Sequence, residues 1–319
     1  MQRILITGGS GFVGSYLTES LKPCASKMVV LASGDIEPWR EPGIEYLTFD
    51  IRSRDKVRSI VHELSPDQIY HLAGISAVDL SWDNPRHTFE VNVIGTYNLF
   101  EAAMSLPSPP MILNVSTSQV YANSEGILTE TSPVRPDNPY AASKAMAEML
   151  PVQYRKRSRG GIITARSFNH TGPRQPPSFV LPSIAKQFAE IEAGLRPPKL
   201  MVGNIDIKRD FTDVRDVIRA YIALLNKGRA GEVYNVCSGC EVRLRDVIGK
   251  FQAICGTTVN IETDPARIRS DDVPQVFGDP TKIRTETDWR PEIPLETTIR
   301  DLLDYWREEI KRTSSTYPH

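Results

Sequence analysis

The sequence predicts an α/β protein with a doubly wound parallel sheet and a second, smaller α/β domain. Two observations support this fold class. Short apolar runs alternate with helical segments through the first half, and the alternation becomes irregular in the second half, where prolines cluster. The length of 319 residues allows about two domains at roughly 150 residues each.

Six apolar runs in the first half are each short, and most are rich in Ile, Val and Leu, as buried parallel strands are. We predict strands at residues 3–7, 27–32, 45–49, 68–72, 111–115 and 161–166. Apolar residues recur at helical spacing between them, at residues 11–21, 55–64, 85–104 and 139–157. This order of strands and helices implies helices on both faces of one sheet.

The second half keeps three predicted helices, at residues 178–192, 244–255 and 294–311. We expect a first domain over residues 1–167, to which segments around 205–237 return. A second domain covers most of 168–319. It is expected to lie over the carboxyl ends of the strands, where open α/β sheets bind ligands.

Composition excludes several classes of protein. The net charge is -1, from 38 basic and 39 acidic residues, so no basic excess is available to bind nucleic acid. No apolar run reaches the roughly 20 residues that cross a bilayer, and the N-terminus does not resemble a signal peptide. The pair Cys237-x-x-Cys240 has no second pair to complete a metal site. We expect a soluble, cytoplasmic enzyme without a bound metal.

A glycine-rich loop follows the first predicted strand and opens the first predicted helix. In Gly8-x-x-Gly11-x-x-Gly14, the glycines permit a tight turn, close approach of a pyrophosphate and close packing of helix on strand. The free N–H groups of a helix start favour phosphate. This pattern predicts a Rossmann domain that binds a dinucleotide, with Phe12 and Val13 as further contacts.

Two carboxylates are candidates for the rest of the cofactor site. Asp35 lies 21 residues after Gly14, near the position of a carboxylate that binds the ribose 2′-hydroxyl. It favours NAD(H) over NADP(H) as the cofactor, although a solvated loop carboxylate is the alternative. Asp50 could bind the adenine amino group and Ile51 could pack on its ring, but Asp50 could equally cap a helix.

The segment from Asn138 to Lys144 reads as the start of a catalytic helix. Asn138 can cap it, and Pro139 suits its first position. Tyr140 and Lys144 then share one face, so the ammonium is expected to lower the pKa of the phenol and make it a usable acid or base. The predicted strand at 111–115 leads into Ser116-Thr117-Ser118, whose hydroxyls could bind a substrate oxygen beside Tyr140.

These motifs together resemble those of the extended short-chain dehydrogenases/reductases, and the resemblance covers nearly the whole chain. It rests on residues 7–14 (TGGSGFVG), 71–74 (HLAG), 92–96 (NVIGT) and 140–144 (YAASK). It implies that Thr117, Tyr140 and Lys144 act in hydride transfer at a sugar carbon. It also implies that Leu72 and Ala73, like Tyr140 and Lys144, contact the cofactor, NAD(H) or NADP(H).

The second half resembles the GDP-mannose branch of that family. The matching stretches are residues 166–173 (RSFNHTGP), 202–216 (VGNIDIKRDFTDVRD), 234–239 (YNVCSG) and 269–273 (RSDDV). The resemblance implies that the substrate is a GDP-sugar and that its diphosphate is held by Asn169, Arg209 and Arg269. It implies a guanine pocket lined by Val180 and Lys186. Asp272 stands where the family has Glu. Ser118 and Ser76 are candidate sugar contacts, as is Ser81, although ordinary loop serines are the alternative.

The branch contains dehydratases and reductases, and Gln119 bears on the choice. Related dehydratases place a Glu two residues beyond the triad hydroxyl, and an amide cannot act as a base there. We therefore expect NAD(P)H-dependent reduction of the C4 ketone of GDP-4-keto-6-deoxy-D-mannose to GDP-D-rhamnose. The alternatives are a 4,6-dehydratase, a 4-epimerase with tightly held NAD+, and a regulator that senses NAD(H), which usually lacks the Tyr or the Lys.

Relatives pair the helices at 85–104 and 139–157 with their copies, so the resemblance implies a homodimer. Met146, Met149 and Leu150 fit such an interface, or equally a core position. Pro151 falls inside the second of these helices and is expected to kink it or end it early.

Overall fold

The computed structural model describes residues 1–34, 40–122, 126–154, 161–267 and 273–316. Three predicted site residues therefore lie outside the described residues: Asp35, Arg269 and Asp272.

Seven strands form one parallel sheet and include all six that were predicted, each with ends within two residues of the expected ones. The strands are β1 (Gln2–Thr7), β2 (Ala25–Ala32), β3 (Glu45–Thr48), β4 (Gln68–His71), β5 (Met111–Thr117), β6 (Gly161–Ser167) and β10 (Val233–Val236). Their order is β10-β6-β5-β4-β1-β2-β3, which confirms the Rossmann-type sheet. The order reverses between β1 and β4, so a crevice opens there at the carboxyl ends.

Helices cover both faces of the sheet and bury two separate apolar layers against it. In the first half they are α1 (Phe12–Leu21), α2 (Arg54–Leu64), α3 (Val78–Asp83), α4 (Pro85–Phe89), α5 (Thr96–Met104) and α6 (Pro139–Met149). The predicted helix at 85–104 is thus interrupted: a π-helical turn, Glu90–Gly95, joins α4 to α5. The helix α6 ends before Pro151 and continues as the 3-10 segment Leu150–Tyr154, as the proline predicted.

The second half adds one further core, formed mainly by three helices and the strands they cover. Its elements are β7 (Asn169–Thr171), α7 (Val180–Glu192), β8 (Lys199–Val202), β9 (Lys208–Asp213), α8 (Val214–Lys227), β11 (Glu241–Arg243), α9 (Leu244–Cys255), β12 (Asn260–Thr263), β13 (Gln275–Val276), α10 (Thr281–Thr287) and α11 (Leu295–Thr316). The helices α7, α9 and α11 build that core, whereas α8 packs on the large sheet.

The strand β10 lies within residues 205–237 and joins the first-half sheet. The division of the chain into two domains at residue 167 stays a prediction. Among the described residues, no helix combines the length and the apolar character needed to cross a membrane.

Candidate active site

The glycine loop between β1 and α1 leaves a cradle that side chains would fill. Gly8 has φ +74°, and a Cβ there would lie 2.7 Å from the Ala73 nitrogen. A Cβ at Gly14 would lie 2.5 Å from the Gly8 oxygen, so both positions require glycine. Gly11 caps α1 without a side-chain hydrogen bond, which leaves the N–H groups of Phe12 and Val13 for an anion. This cradle fits the pyrophosphate of a dinucleotide.

The two candidate adenine contacts, Asp50 and Ile51, both have partners within the protein. The Asp50 carboxylate neither caps α2, whose N-cap is Ser53, nor stands alone. It accepts from the Arg52 backbone N–H at 2.9 Å and forms an ion pair with the Arg52 guanidinium, which lowers the pKa of Asp50. Ile51 is buried in the core between α2 and α5, against Gly95. Their contacts with adenine stay predictions.

A buried hydrogen-bond chain ties the cofactor loop to the π-helical turn. The Ala73 N–H donates to Thr7 Oγ1 at 3.2 Å, and Thr7 Oγ1 lies 2.7 Å from His71 Nδ1. On its other side, His71 Nε2 lies 2.8 Å from Thr96 Oγ1, which donates to the Asn92 carbonyl. Thr96 can then only accept from the ring, so His71 carries its proton on Nε2.

Burial lowers the pKa of His71 to about 3, and the ring is therefore neutral at physiological pH. The hydrogen-bond chain through His71 fixes the loop that begins with Leu72 and Ala73. Both residues are half-buried at the carboxyl end of β4. Residues 71–74 and 92–96 carry the family resemblance, but the resemblance does not predict this hydrogen-bond chain. Its signal in the sequence is a threonine or histidine at the end of β1, at the end of β4 and at the start of α5.

The start of α6 satisfies every backbone N–H of its first turn within the protein. Pro139 has none, and the Ala141 N–H donates to the Asn138 side chain at 2.8 Å, which confirms Asn138 as the cap. The Ala142 N–H donates to the Asn138 carbonyl. The Tyr140 N–H donates to Ser81 Oγ at 3.1 Å.

Ser81 therefore has a different role from the sugar contact considered above. Its side chain is fully buried and also donates to the Val78 carbonyl at 2.6 Å. Its hydroxyl is thus engaged by α3 and α6 and anchors the backbone of Tyr140. Ser76 stays exposed in the loop before α3, and its contact with a sugar stays a prediction.

Thr117 and Tyr140 meet at the carboxyl end of β5. Burial raises the pKa of Tyr140, and a hydrogen bond with Thr117 partly offsets this. The pKa of Tyr140 therefore shifts in the opposite direction from the expected one, because desolvation of the buried phenol is the largest cause. A phenol of raised pKa holds its proton at neutral pH and suits the role of an acid.

Lys144 lies one turn after Tyr140 on the same face of α6 and is 7% exposed. Burial lowers its pKa to about 8, and the charge of Glu148 opposes that decrease. The nearby Asn92 side chain binds the Ile75 backbone and Ser143 Oγ, so it ties the loop after β4 to the catalytic helix. The π-helical turn that carries Asn92 is the kind of local irregularity that often marks a functional site.

The segment after β5 shows how the Gln119 position is built. The Gln119 N–H donates to Thr117 Oγ1 at 3.2 Å, and its side-chain Oε1 accepts from Asn138 Nδ2 at 3.3 Å. The Gln119 amide therefore lies between Thr117 and Asn138, the N-cap of α6. Ser118 is buried beside Thr117, and its contact with a sugar stays a prediction.

Two of the predicted diphosphate ligands lie on neighbouring strands. Asn169 is exposed at the start of β7 and pairs with Phe211 of β9, two residues beyond Arg209. The Arg209 guanidinium donates to the Val273 carbonyl at 2.7 Å, at the edge of the segment that contains Arg269 and Asp272. Asp210 binds the backbone N–H groups of residues 238 and 239.

Lys186 does not share a face of α7 with Val180. Six residues rotate a helix by about 240°, a third of a turn from the starting direction. Lys186 Nζ lies 3.7 Å from Glu190 and 5.5 Å from the centroid of the Trp306 ring, whereas Val180 is exposed at the helix start. Arg267, which was not predicted, donates to Ser183 on the Val180 side.

Phe12 at the start of α1 stacks on the His170 ring, with centroids 6.1 Å apart and planes 8° from parallel. His170 lies beside Asn169, so this contact brings the β7 segment to the glycine loop. The start of α1 and the β7 segment, which carry predicted cofactor and diphosphate residues, therefore lie side by side.

The sequence matches the family described as GDP-mannose 4,6 dehydratase over residues 5–302. It is 36% identical to the GDP-6-deoxy-D-mannose reductase of Pseudomonas aeruginosa, covering 97% of this chain and 99% of the relative. It is 30% identical to the GDP-6-deoxy-D-talose 4-dehydrogenase of Aggregatibacter actinomycetemcomitans, covering 88% and 90%.

The solved structure of RMD from Pseudomonas aeruginosa complexed with NADPH has a TM-score of 0.84 and 34% identity, covering 97% of this chain and all of that one. These relatives are nucleotide-sugar oxidoreductases with the extended short-chain dehydrogenase/reductase fold. The chain belongs to the GDP-mannose 4,6 dehydratase family.

Proposed function

We propose that this protein uses NAD(P)H to reduce the C4 ketone of GDP-4-keto-6-deoxy-D-mannose to GDP-D-rhamnose. One observation carries the choice of reduction over dehydration: Gln119 occupies the position two residues beyond Thr117, and its amide is bound by Asn138. A neutral amide held in this way cannot take the sugar C5 proton that dehydration must remove.

The chain's own residues supply binding and acid chemistry. The cradle of Gly8, Gly11 and Gly14 would hold the cofactor, which supplies a hydride when bound. Tyr140 carries its proton on Oη, because burial raises its pKa, and donates it to the ketone oxygen as negative charge develops there. Thr117 donates to the same oxygen and fixes its place. Lys144 then stabilises the phenolate that Tyr140 leaves behind.

The direct test supplies the purified protein with GDP-4-keto-6-deoxy-D-mannose and NADPH. We expect loss of NADPH absorbance and a GDP-6-deoxyhexose whose C4 configuration is read by proton NMR. A rhamnose product supports the proposal in full. A talose product would place the protein closer to the activity named for the Aggregatibacter relative and would refute the assigned configuration.

A second incubation, with GDP-mannose and NADP+, distinguishes the other activities. A dehydratase would form a 4-keto sugar there, and an epimerase would interconvert C4 epimers without added reductant. Either result would refute reduction as the main activity. Parallel reactions with NADH and NADPH decide the preference that Asp35 was predicted to set.

The dimer is also a proposal, and an exposed apolar surface supports it. Met146 and Met149 on α6 are 48% and 71% exposed, and Ile94 on the adjoining π-helical turn and Val152 are more than half exposed. Leu150, by contrast, packs into the core. We expect light scattering to give a dimer and Met149→Glu to give a monomer. A monomeric native protein at micromolar concentration would refute it.

A further inference from the structure

A buried ion pair lies behind the catalytic face of α6. Glu148 follows Lys144 by one helical turn, so Tyr140, Lys144 and Glu148 succeed one another on the same face. The Glu148 side chain is 7% exposed, and its partner Arg166 on β6 is equally buried. The catalytic roles described above use neither residue.

The contacts between the two side chains are bidentate. Arg166 Nε lies 3.1 Å from both Glu148 oxygens, and Nη2 lies 2.7 Å from Oε2. The guanidinium also lies 4.6 Å from the centroid of the Tyr121 ring and donates to the Glu130 carbonyl. A flat guanidinium held on three sides leaves the carboxylate one position.

We propose that Glu148 and Arg166 are a positioning pair for the proposed reaction: Arg166 fixes the Glu148 carboxylate one turn behind Lys144, and that carboxylate stabilises the Lys144 ammonium. The proposal rests on the function proposed above, in which a charged Lys144 stabilises the Tyr140 phenolate. Burying a lysine disfavours its charged form, so a fixed negative charge nearby is what such a site requires.

Among the residues that the structure describes, the other titratable groups facing Lys144 do not supply this charge. From its own helix Tyr140 faces it as a neutral phenol, and from β4 His71 is neutral because burial lowers its pKa to about 3. From β6, Arg166 is positive and contacts Glu148. Burial lowers the pKa of Lys144 to about 8, and the charge of Glu148 acts in the opposite direction.

The test measures the charge of Lys144 without relying on turnover. We would follow the lysine side-chain carbon-13 NMR signals from about pH 6 to about pH 10, assigning Lys144 by its absence in Lys144→Met. In Glu148→Gln we expect the pKa of Lys144 to fall from about 8 to about 7 or lower, the size typical for loss of a nearby opposite charge. An unchanged pKa in Glu148→Gln would overturn the proposal.

Three further variants separate charge from packing. Glu148→Asp keeps the carboxylate and should keep the pKa of Lys144 near that of the native protein. The double variant Glu148→Gln with Arg166→Met removes the unpaired guanidinium, so it keeps the core neutral if Glu148→Gln alone fails to fold. Because this variant also removes a nearby positive charge, its Lys144 should titrate between the values in Glu148→Gln and in the native protein, and a pKa at or above the native value would contradict the proposal. Glu101→Gln, which breaks an exposed pair with Arg54, is the matched control.

Kinetics supply a second readout. A fall in the pKa of Lys144 from 8 to about 7 leaves it about fivefold less charged at pH 8. We therefore expect kcat of Glu148→Gln to fall about eightfold from about pH 6.5 to about pH 8, against about twofold in the native protein. If the native protein does not reduce the keto-sugar, the proposed function fails, while the NMR titration still decides the role of Glu148.

Discussion

The two helices that begin at the crevice, α6 and α7, start in opposite ways. Asn138 and Ser81 bind the backbone N–H groups of the first turn of α6, one of them from a helix far away in sequence. The N-cap of α7 is Phe179, which makes no side-chain capping bond, and Phe179 and Val180 are 41% and 39% exposed. The protein therefore fixes the helix start that carries the predicted chemistry, whereas the start of α7, where a guanine pocket is predicted, has no side-chain cap.

The start of α1 follows α7 rather than α6 in this respect. Gly11 provides no side-chain cap, and the loop before it is shaped by close backbone contacts instead. Substitutions at α6 should therefore change kcat and stability, whereas substitutions at the start of α7 should change KM for the nucleotide sugar.

The largest effect is expected at the fixed end, the start of α6 that Asn138 and Ser81 hold. Tyr140→Phe removes the proton donor but keeps the ring and its packing. We expect kcat to fall about 10²- to 10⁴-fold, the usual contribution of a positioned acid. NADPH affinity, measured by fluorescence titration, should stay within about twofold.

A residual rate within about tenfold of the native protein would mean that another group delivers the proton. Thr117→Val serves as the companion variant, because it removes the second donor to the same oxygen and leaves the acid in place. Its kcat should fall less than that of Tyr140→Phe.

The fixed end could largely be predicted from the sequence because its signals are local. A continuous apolar run identifies a buried strand wherever it lies, and Asn138-Pro139 marks a helix start by the chemistry of the two residues themselves. The early end of α6 follows equally from the ring of Pro151.

What could not be predicted depends on contacts between distant segments. Ser81 has the composition of any loop serine, and only the approach of α3 to α6 turns it into an anchor for Tyr140. The ion pair of Asp50 with Arg52 and the position of Lys186 beside Trp306 are also set by tertiary packing. The direction in which the pKa of Tyr140 shifts depends on how deeply the fold buries the phenol.

The second prediction tests the residues that are predicted to bind the GDP-sugar. Arg209→Met should raise KM for the GDP-sugar about 10- to 100-fold, because a hydrogen bond to a charged phosphate is lost. The control is Lys186→Met, since Lys186 lies against Glu190 and Trp306. We expect its KM within about twofold of native, and a large rise would restore the guanine-pocket role predicted from the sequence.

The third prediction compares a serine that binds the start of α6, Ser81, with a serine beside the start of α7. Ser81→Ala leaves the Tyr140 N–H without its partner, so we expect a loss of about 1 kcal/mol of stability and a decrease in Tm of about 2–4 °C. Because Tyr140 is then less firmly placed, kcat should fall about tenfold with KM little changed.

The matched control for Ser81 is Ser178→Ala at the other helix start, where the serine is exposed. It should leave both Tm and kcat unchanged. Equal changes in the two variants would show that the capped and uncapped helix starts do not differ in the way described.

The smallest effect is expected from Val180→Ala. It deletes two methyl groups at the uncapped start of α7, where no capping bond can be lost, so Tm should change by about 1 °C or less. If guanine packs against this side chain, KM should rise about fivefold while kcat stays the same, because the lost contact is made equally in the ground state and the transition state. Leu195→Ala, at an exposed leucine beyond the end of α7, controls for loss of surface apolar area. A decrease in kcat instead of a rise in KM would mean that the start of α7 is coupled to the catalytic end, and that the crevice does not divide its work between the two helices.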